Sequence, residues 1–100
     1  MELYQLRQFA AVAKYENMTR AAESLNVAQP AVSKTIRNLE SELGAELFER
    51  TGKGLRRTEQ GDILLRYART ILEAERDARG EIEESLHPDR WSVHLCAVVR

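Results

Sequence analysis

The chain has 100 residues, 43% hydrophobic and 31% charged, with a net charge of −1, which leaves room for one small domain or one domain with an appendage. No apolar run approaches the roughly 20 residues that a bilayer requires, and MELYQLRQF lacks the basic start and apolar stretch of a signal peptide. No membrane is expected, and with a lone cysteine, Cys96, that cannot close an internal disulfide, the expected location is cytoplasmic.

The charge is unevenly placed. Residues 1–58 carry nine Lys/Arg against seven Asp/Glu, and residues 59–86 carry four against eight. The first half can therefore present a basic face although the total is near zero.

Leu3, Leu6, Phe9, Ala10 and Ala13 fall at helical spacing and predict a first helix from about Glu2 to Tyr15. Glu16-Asn17-Met18 reads as a loop, and Thr19 as the N-cap of a second helix, Arg20 to Leu25, with Ala21, Ala22 and Leu25 turned inward. Asn26-Val27-Ala28 is a turn, because Asn tolerates the left-handed conformation that a tight connection requires. Pro30 is comfortable only in a helix's first turn, so a third helix runs from Gln29 to Leu43 and closes on Gly44. Its apolar stripe is Val32, Ile36, Leu39 and Leu43, with Ser33, Lys34, Arg37 and Ser41 opposite. Two short extended stretches begin at Leu47-Phe48 and at Leu55-Arg56-Arg57, and the turn between them contains Gly52 and Gly54. Thr58 caps a long helix to about Leu86, in which Leu64, Ala68, Ile71, Ala78 and Ile82 keep a four-three rhythm that Glu75 interrupts. Such a helix outruns a domain of some sixty residues, so the stripe is expected to pair with a second copy. Beyond Pro88, residues 92–99 read as a buried strand, and one strand is not stable alone. Residues 87–100 are accordingly expected to begin a further domain.

Two short helices joined by a tight turn, the second opening on polar residues, are the parts of a helix-turn-helix. In that arrangement the second helix enters the major groove and its first residues meet base edges. Gln29, Ser33, Lys34 and Arg37 have the groups to read bases or neutralise phosphates. The hairpin carrying Arg50, Lys53, Arg56 and Arg57 is placed like a basic wing, although Arg50 could equally pair with an acidic neighbour. An enzyme finds little support. His87 and His94 match no zinc spacing, Gly52-Lys53-Gly54 lacks the P-loop spacing, and Cys96 in an apolar run reads as a small core residue. No catalytic residue, metal or cofactor is expected. A winged helix used only for protein association is the other rival, disfavoured by the basic face of the third helix.

Leu6-Arg7-Gln8-Phe9 and Met18-Thr19-Arg20-Ala21-Ala22-Glu23-Ser24-Leu25 resemble the start of LysR-type regulators. Gln29-Pro30-Ala31-Val32-Ser33-Lys34-Thr35-Ile36, Leu39-Glu40-Ser41-Glu42-Leu43-Gly44, Leu47-Phe48-Glu49-Arg50 and Thr58-Glu59-Gln60-Gly61 continue the pattern, so the likeness covers residues 1–85. The resemblance implies a mainly α fold: a winged helix-turn-helix over 1–58 (three helices plus a short two-stranded wing), then a long dimerisation helix over 59–86. Residues 87–100 would then open a truncated effector-binding domain, to which a small-molecule co-inducer would bind. The partners implied are double-stranded DNA, with an imperfect inverted repeat as operator, and a second copy of the chain. The resemblance places Gln29, Pro30, Ala31, Ser33, Lys34 and Arg37 on the recognition helix, Lys53 at the wing tip in the minor groove, and Thr19 and Arg20 beside phosphates. Two positions depart from the family pattern: Ala28 where Ser or Thr is usual, and Lys34 where Arg is common.

Overall fold

The computed structural model describes residues 1–87, which fold as α1 (Leu3–Tyr15), α2 (Met18–Leu25), α3 (Gln29–Leu43), β1 (Phe48–Thr51), β2 (Gly54–Arg57) and α4 (Glu59–Leu86). The strand expected over 92–99, together with His94 and Cys96, lies outside the described residues.

Each boundary has a local cause. Glu2 and Gln5 close a capping box at the start of α1, with the Glu2 N–H donating to Gln5 Oε1 at 2.8 Å. α2 begins two residues earlier than the sequence suggested. Its cap is Asn17, whose Oδ1 accepts from the Arg20 N–H at 2.9 Å, so Thr19 lies inside the helix and stays exposed. Both residue types cap well, and local preference did not separate them. Asn26 takes the left-handed conformation at φ 57° and turns the chain into α3, which Gly44 ends at φ 69°. The strands pair antiparallel in the register Phe48↔Arg57, Glu49↔Arg56, Arg50↔Leu55 and Thr51↔Gly54.

The core gathers Leu6, Phe9, Val12, Ala21, Ala22, Val32, Ile36 and Leu39 from the three short helices, Leu47 and Phe48 from the approach to the hairpin, and Leu64, Leu65 and Ala68 from α4. Phe9 and Phe48 meet with ring centroids 5.3 Å apart, tilted by 43°, a geometry worth about 0.5–1.5 kcal/mol beyond the buried area. Three sequence expectations need correction. On α1 the buried face includes Val12 and Gln5, while Leu3, the first residue of the helix, is exposed. On α3 Thr35 is buried, and Leu43 is exposed, lining an open groove with Met1 and Ile63. The third concerns α4: Ala68 is fully buried within this chain's own core and is not free to face a second copy, and Leu64 is buried there too, bordering an apolar groove with Ile63 and Tyr67.

The interruption at Glu75 is explained by the same rotation. Glu75 points back toward α1, where Arg7 Nη2 lies 3.5 Å from its carboxylate and Arg79 Nε donates to it from the next turn. The outward stripe of α4 is instead Ile63, Tyr67, Ile71, Ala74, Ala78 and Ile82, all exposed.

Candidate nucleic-acid interface

α3 divides cleanly along its length. Val32, Thr35, Ile36 and Leu39 fix one side in the core, which turns Pro30, Ala31, Lys34, Arg37 and Asn38 to solvent and leaves Gln29 and Ser33 half-buried. The N-cap of the helix is Ala28, which offers no side-chain acceptor, so the first turn of α3 carries no side-chain cap. Gln29 and Ser33, one turn apart, are joined by a hydrogen bond from Gln29 Nε2 to Ser33 Oγ at 2.8 Å. Neither Lys34 nor Arg37 has an ion-pair partner among the described residues.

The hairpin stands beside this helix. Its alternation puts Phe48, Arg50, Leu55 and Arg57 on one face and Glu49 and Arg56 on the other. Phe48 and Leu55 pack on the core side, which carries Arg50 to the cleft between hairpin and α3. That cleft, about 500 Å³, brings Arg50 together with Ser33 and Arg37, with Glu40, Glu46 and Glu49 at its margin. Lys53 sits at the exposed tip of the turn. Gly54 follows at φ 130°, where a side chain would be strained and would press within 3.2 Å of the Glu16 carbonyl oxygen. The Leu55 N–H donates to that same oxygen, tying the hairpin to the end of α1.

The four basic residues of the hairpin are not equivalent, which their sequence did not show. Arg56 is neutralised across the strands by Glu49, with Nη2 to Oε1 at 2.9 Å. Arg57 turns inward: its Nε donates to Asp62 Oδ1 at 2.7 Å and its Nη1 to the Ala13 carbonyl at 3.1 Å. Among the described residues, Arg50 and Lys53 form no ion pair, and these are the charges the hairpin can offer a partner. On α2, Thr19 and Arg20 are exposed, and the Arg20 guanidinium lies 5.8 Å over the Tyr15 ring, which Lys14 also approaches at 5.3 Å. Of the sequence-expected residues, Thr19, Arg20, Pro30, Ala31, Lys34, Arg37, Arg50 and Lys53 are exposed, and Gln29 and Ser33 are half-buried.

The sequence missed the fastening of this surface. Thr58 accepts from the Gly61 N–H at 3.0 Å as the cap of α4, and its own hydroxyl donates to the Glu46 carbonyl at 2.6 Å. Its N–H donates to the Leu47 carbonyl at 3.1 Å. Leu47 N–H in turn donates to Glu40 Oε2 at 2.8 Å, so α3, the hairpin and α4 are fastened through one short stretch of backbone. Among the described residues no three His, Cys, Asp or Glu side chains gather as metal ligands, and His87 is 3.3 Å from Glu83.

A helix-turn-helix followed by a two-stranded hairpin wing defines the class: a winged helix-turn-helix domain. The sequence model described as bacterial regulatory helix-turn-helix protein, lysR family, matches residues 3–62. The RuBisCO operon transcriptional regulator of Allochromatium vinosum is 48% identical over 95 residues, which is 95% of this chain and 32% of that protein. Among solved structures, the BenM_DBD/catB site 1 DNA complex superposes with a TM-score of 0.83 at 36% identity, covering 87% of this chain and 98% of that one. Full-length CbnR, a LysR family transcriptional regulator, gives 0.79 at 38% identity, covering 84% of this chain and 29% of that one. The chain belongs to the lysR family of bacterial regulatory helix-turn-helix proteins. It spans about a third of the length of the relatives it matches.

Proposed function

We propose that this chain is the sequence-specific DNA-reading part of a LysR-type transcription regulator, with α3 in the major groove and the hairpin tip at the neighbouring minor groove. One observation carries the reading. The buried stripe of α3 turns Lys34 and Arg37 outward and leaves Gln29 and Ser33 half-exposed, with Arg50 facing Ser33 and Arg37 across the cleft, and Arg50 and Lys53 of the hairpin have no ion-pair partners among the described residues. Cations left uncompensated on one edge release counterions when they meet phosphates, and this supplies sequence-independent affinity. The polar groups of α3 supply base reading. The first turns of α2 bring Thr19 and Arg20 toward the backbone of the same duplex. The similar domains of BenM and CbnR, both solved in complex with DNA, support this assignment.

The reading extends to assembly. α4 is about 42 Å long at ~1.5 Å per residue, and its outward stripe of Ile63, Tyr67, Ile71, Ala74, Ala78 and Ile82 continues into an apolar groove with Met1, Leu43 and Ala45. A second copy covering this stripe forms a homodimer and sets two recognition helices on half-sites about one helical turn apart. Residues 1–58 then read DNA, 59–86 join the copies, and 87–100 lead toward an effector domain that binds a co-inducer. A regulator of this kind works on chromosomal DNA in the cytoplasm and catalyses no reaction. Titration of the chain with random-sequence duplex over a range of salt tests the core of the reading. Binding whose log K falls linearly with log salt is expected, and salt-independent or undetectable binding overturns it.

A further inference from the structure

We infer that Ser33 is a positioning residue for Gln29, and that the two side chains read the duplex as one hydrogen-bonded unit. This rests on the DNA reading of α3 proposed above. A glutamine amide has a donor end and an acceptor end of nearly equal shape, and a free one turns either way at little cost. Here the bond from Gln29 Nε2 to Ser33 Oγ, at 2.8 Å, holds the donor end against the helix one turn further in. Both residues are half-buried, and Pro30, in the first turn between them, fixes the backbone from which Gln29 springs.

The donor and acceptor count then decides what the pair can recognise. One amide hydrogen is used on Ser33, so Gln29 keeps one N–H and the Oε1 acceptor. A donor beside an acceptor is the complement of the N7 and N6 edge of adenine, whereas guanine, with two acceptors, asks for two donors. Ser33 has given a lone pair to the amide and keeps its O–H to donate. Its removal deprives the site of that donor and also frees the amide to turn, so discrimination is lost at the base under Gln29, which Ser33 itself need not touch. In-line charge is not involved: Lys34 and Arg37 lie outside the bond and are left to contact the duplex independently.

The test is selection of sites from randomised duplex with the full chain, followed by competition binding, for wild type, Gln29→Ala, Ser33→Ala, Ser33→Thr and the Gln29→Ala/Ser33→Ala double variant. Wild type is expected to prefer adenine at one position per half-site by about tenfold, the order expected for a single bidentate contact. Gln29→Ala and Ser33→Ala should each lose most of that preference, the double variant should lose no more than Gln29→Ala alone, and Ser33→Thr, which keeps the hydroxyl, should restore it. A Ser33→Ala protein that keeps the full preference at the position Gln29→Ala abolishes overturns the coupling and leaves the DNA reading intact. A Ser33→Thr protein as indifferent there as Ser33→Ala also overturns it. Salt-dependent binding in which neither Gln29→Ala nor Ser33→Ala alters any base preference overturns the pair as a reading unit, whereas no binding by wild type overturns the DNA reading itself.

Discussion

Replacing Gly61 by alanine puts the packing of α4 to a direct test. A methyl group built there would stand 2.2 Å from the Leu47 carbonyl oxygen and 3.3 Å from Arg57 Cβ. Ordinary carbon-to-oxygen approaches lie at about 3.3–3.6 Å, so α4 must retreat by about an ångström. The obstacle is backbone, and it cannot swing aside as a side chain would. Retreat stretches the Thr58 N–H bond to Leu47 O and the Arg57–Asp62 pair together. Overpacking of this kind costs about 1–3 kcal/mol, and alanine's better helix propensity returns at most about 1. With a further loss of about 1 kcal/mol from the two stretched bonds, the net destabilisation is about 2 kcal/mol. For a domain of this size that lowers Tm by about 8–16 °C. Gly80 is the internal control, since a methyl there meets nothing within 4 Å, and Gly80→Ala should raise helicity or stability slightly. Thermal unfolding followed by circular dichroism distinguishes the two. A Gly61→Ala protein as stable as wild type refutes the close approach of α4 to Leu47.

Lys53→Ala should weaken DNA binding and flatten the slope of log K against log salt by about one phosphate contact per subunit, measured by fluorescence anisotropy. Arg37→Ala should cost about 1–3 kcal/mol of specific affinity at unchanged Tm, because its side chain is exposed opposite the core stripe. Ile82→Glu, at a position 61% exposed, should shift the chain toward monomer in sedimentation while the fold persists, whereas Ala68→Glu, at a position fully buried, should unfold it. The Glu75 carboxyl is held below its ordinary value of 4.5 by the hydrogen bond from Arg79, with the charges of Arg79 and Arg7 adding to it. Its contribution to stability is therefore complete above that ordinary value and lost as pH falls through the lowered one. Wild type and Glu75→Gln should accordingly converge in stability in acid and separate toward neutral pH.

The order and kind of every described element were legible in the sequence because each end carries its own chemical mark: Pro30 opening α3, Gly44 closing it, Thr58 capping α4. α2 was misplaced at its start because Asn17 and Thr19 both cap well, and residue preference does not choose between them. Helical periodicity finds an apolar stripe but does not tell which neighbour covers it. α4 carries two such faces side by side, and reading them as one assigned Leu64 and Ala68 to a partner although both are buried in this chain's own core. The solvent face of α3 was legible because Val32, Ile36 and Leu39 keep the apolar spacing that turns it outward, whereas the burial of Thr35 and the exposure of Leu43 were not. The silencing of Arg56 and Arg57 was not, since cross-strand register and the reach of Asp62 are facts of tertiary geometry.

The fastening at Thr58 and Gly61 fixes the root of α4 beside the hairpin, and the pairing of Glu75 with Arg7 fixes it again about four turns further on. The last eleven residues, about 16 Å at ~1.5 Å per residue, project past that second hold to Leu86. The pair of Arg57 with Asp62 joins the root of the helix to the strand that returns from the wing tip. Distance from the recognition helix is thus not detachment from it: the helix that reaches away from α3 is rooted in the same short stretch of backbone that holds the wing.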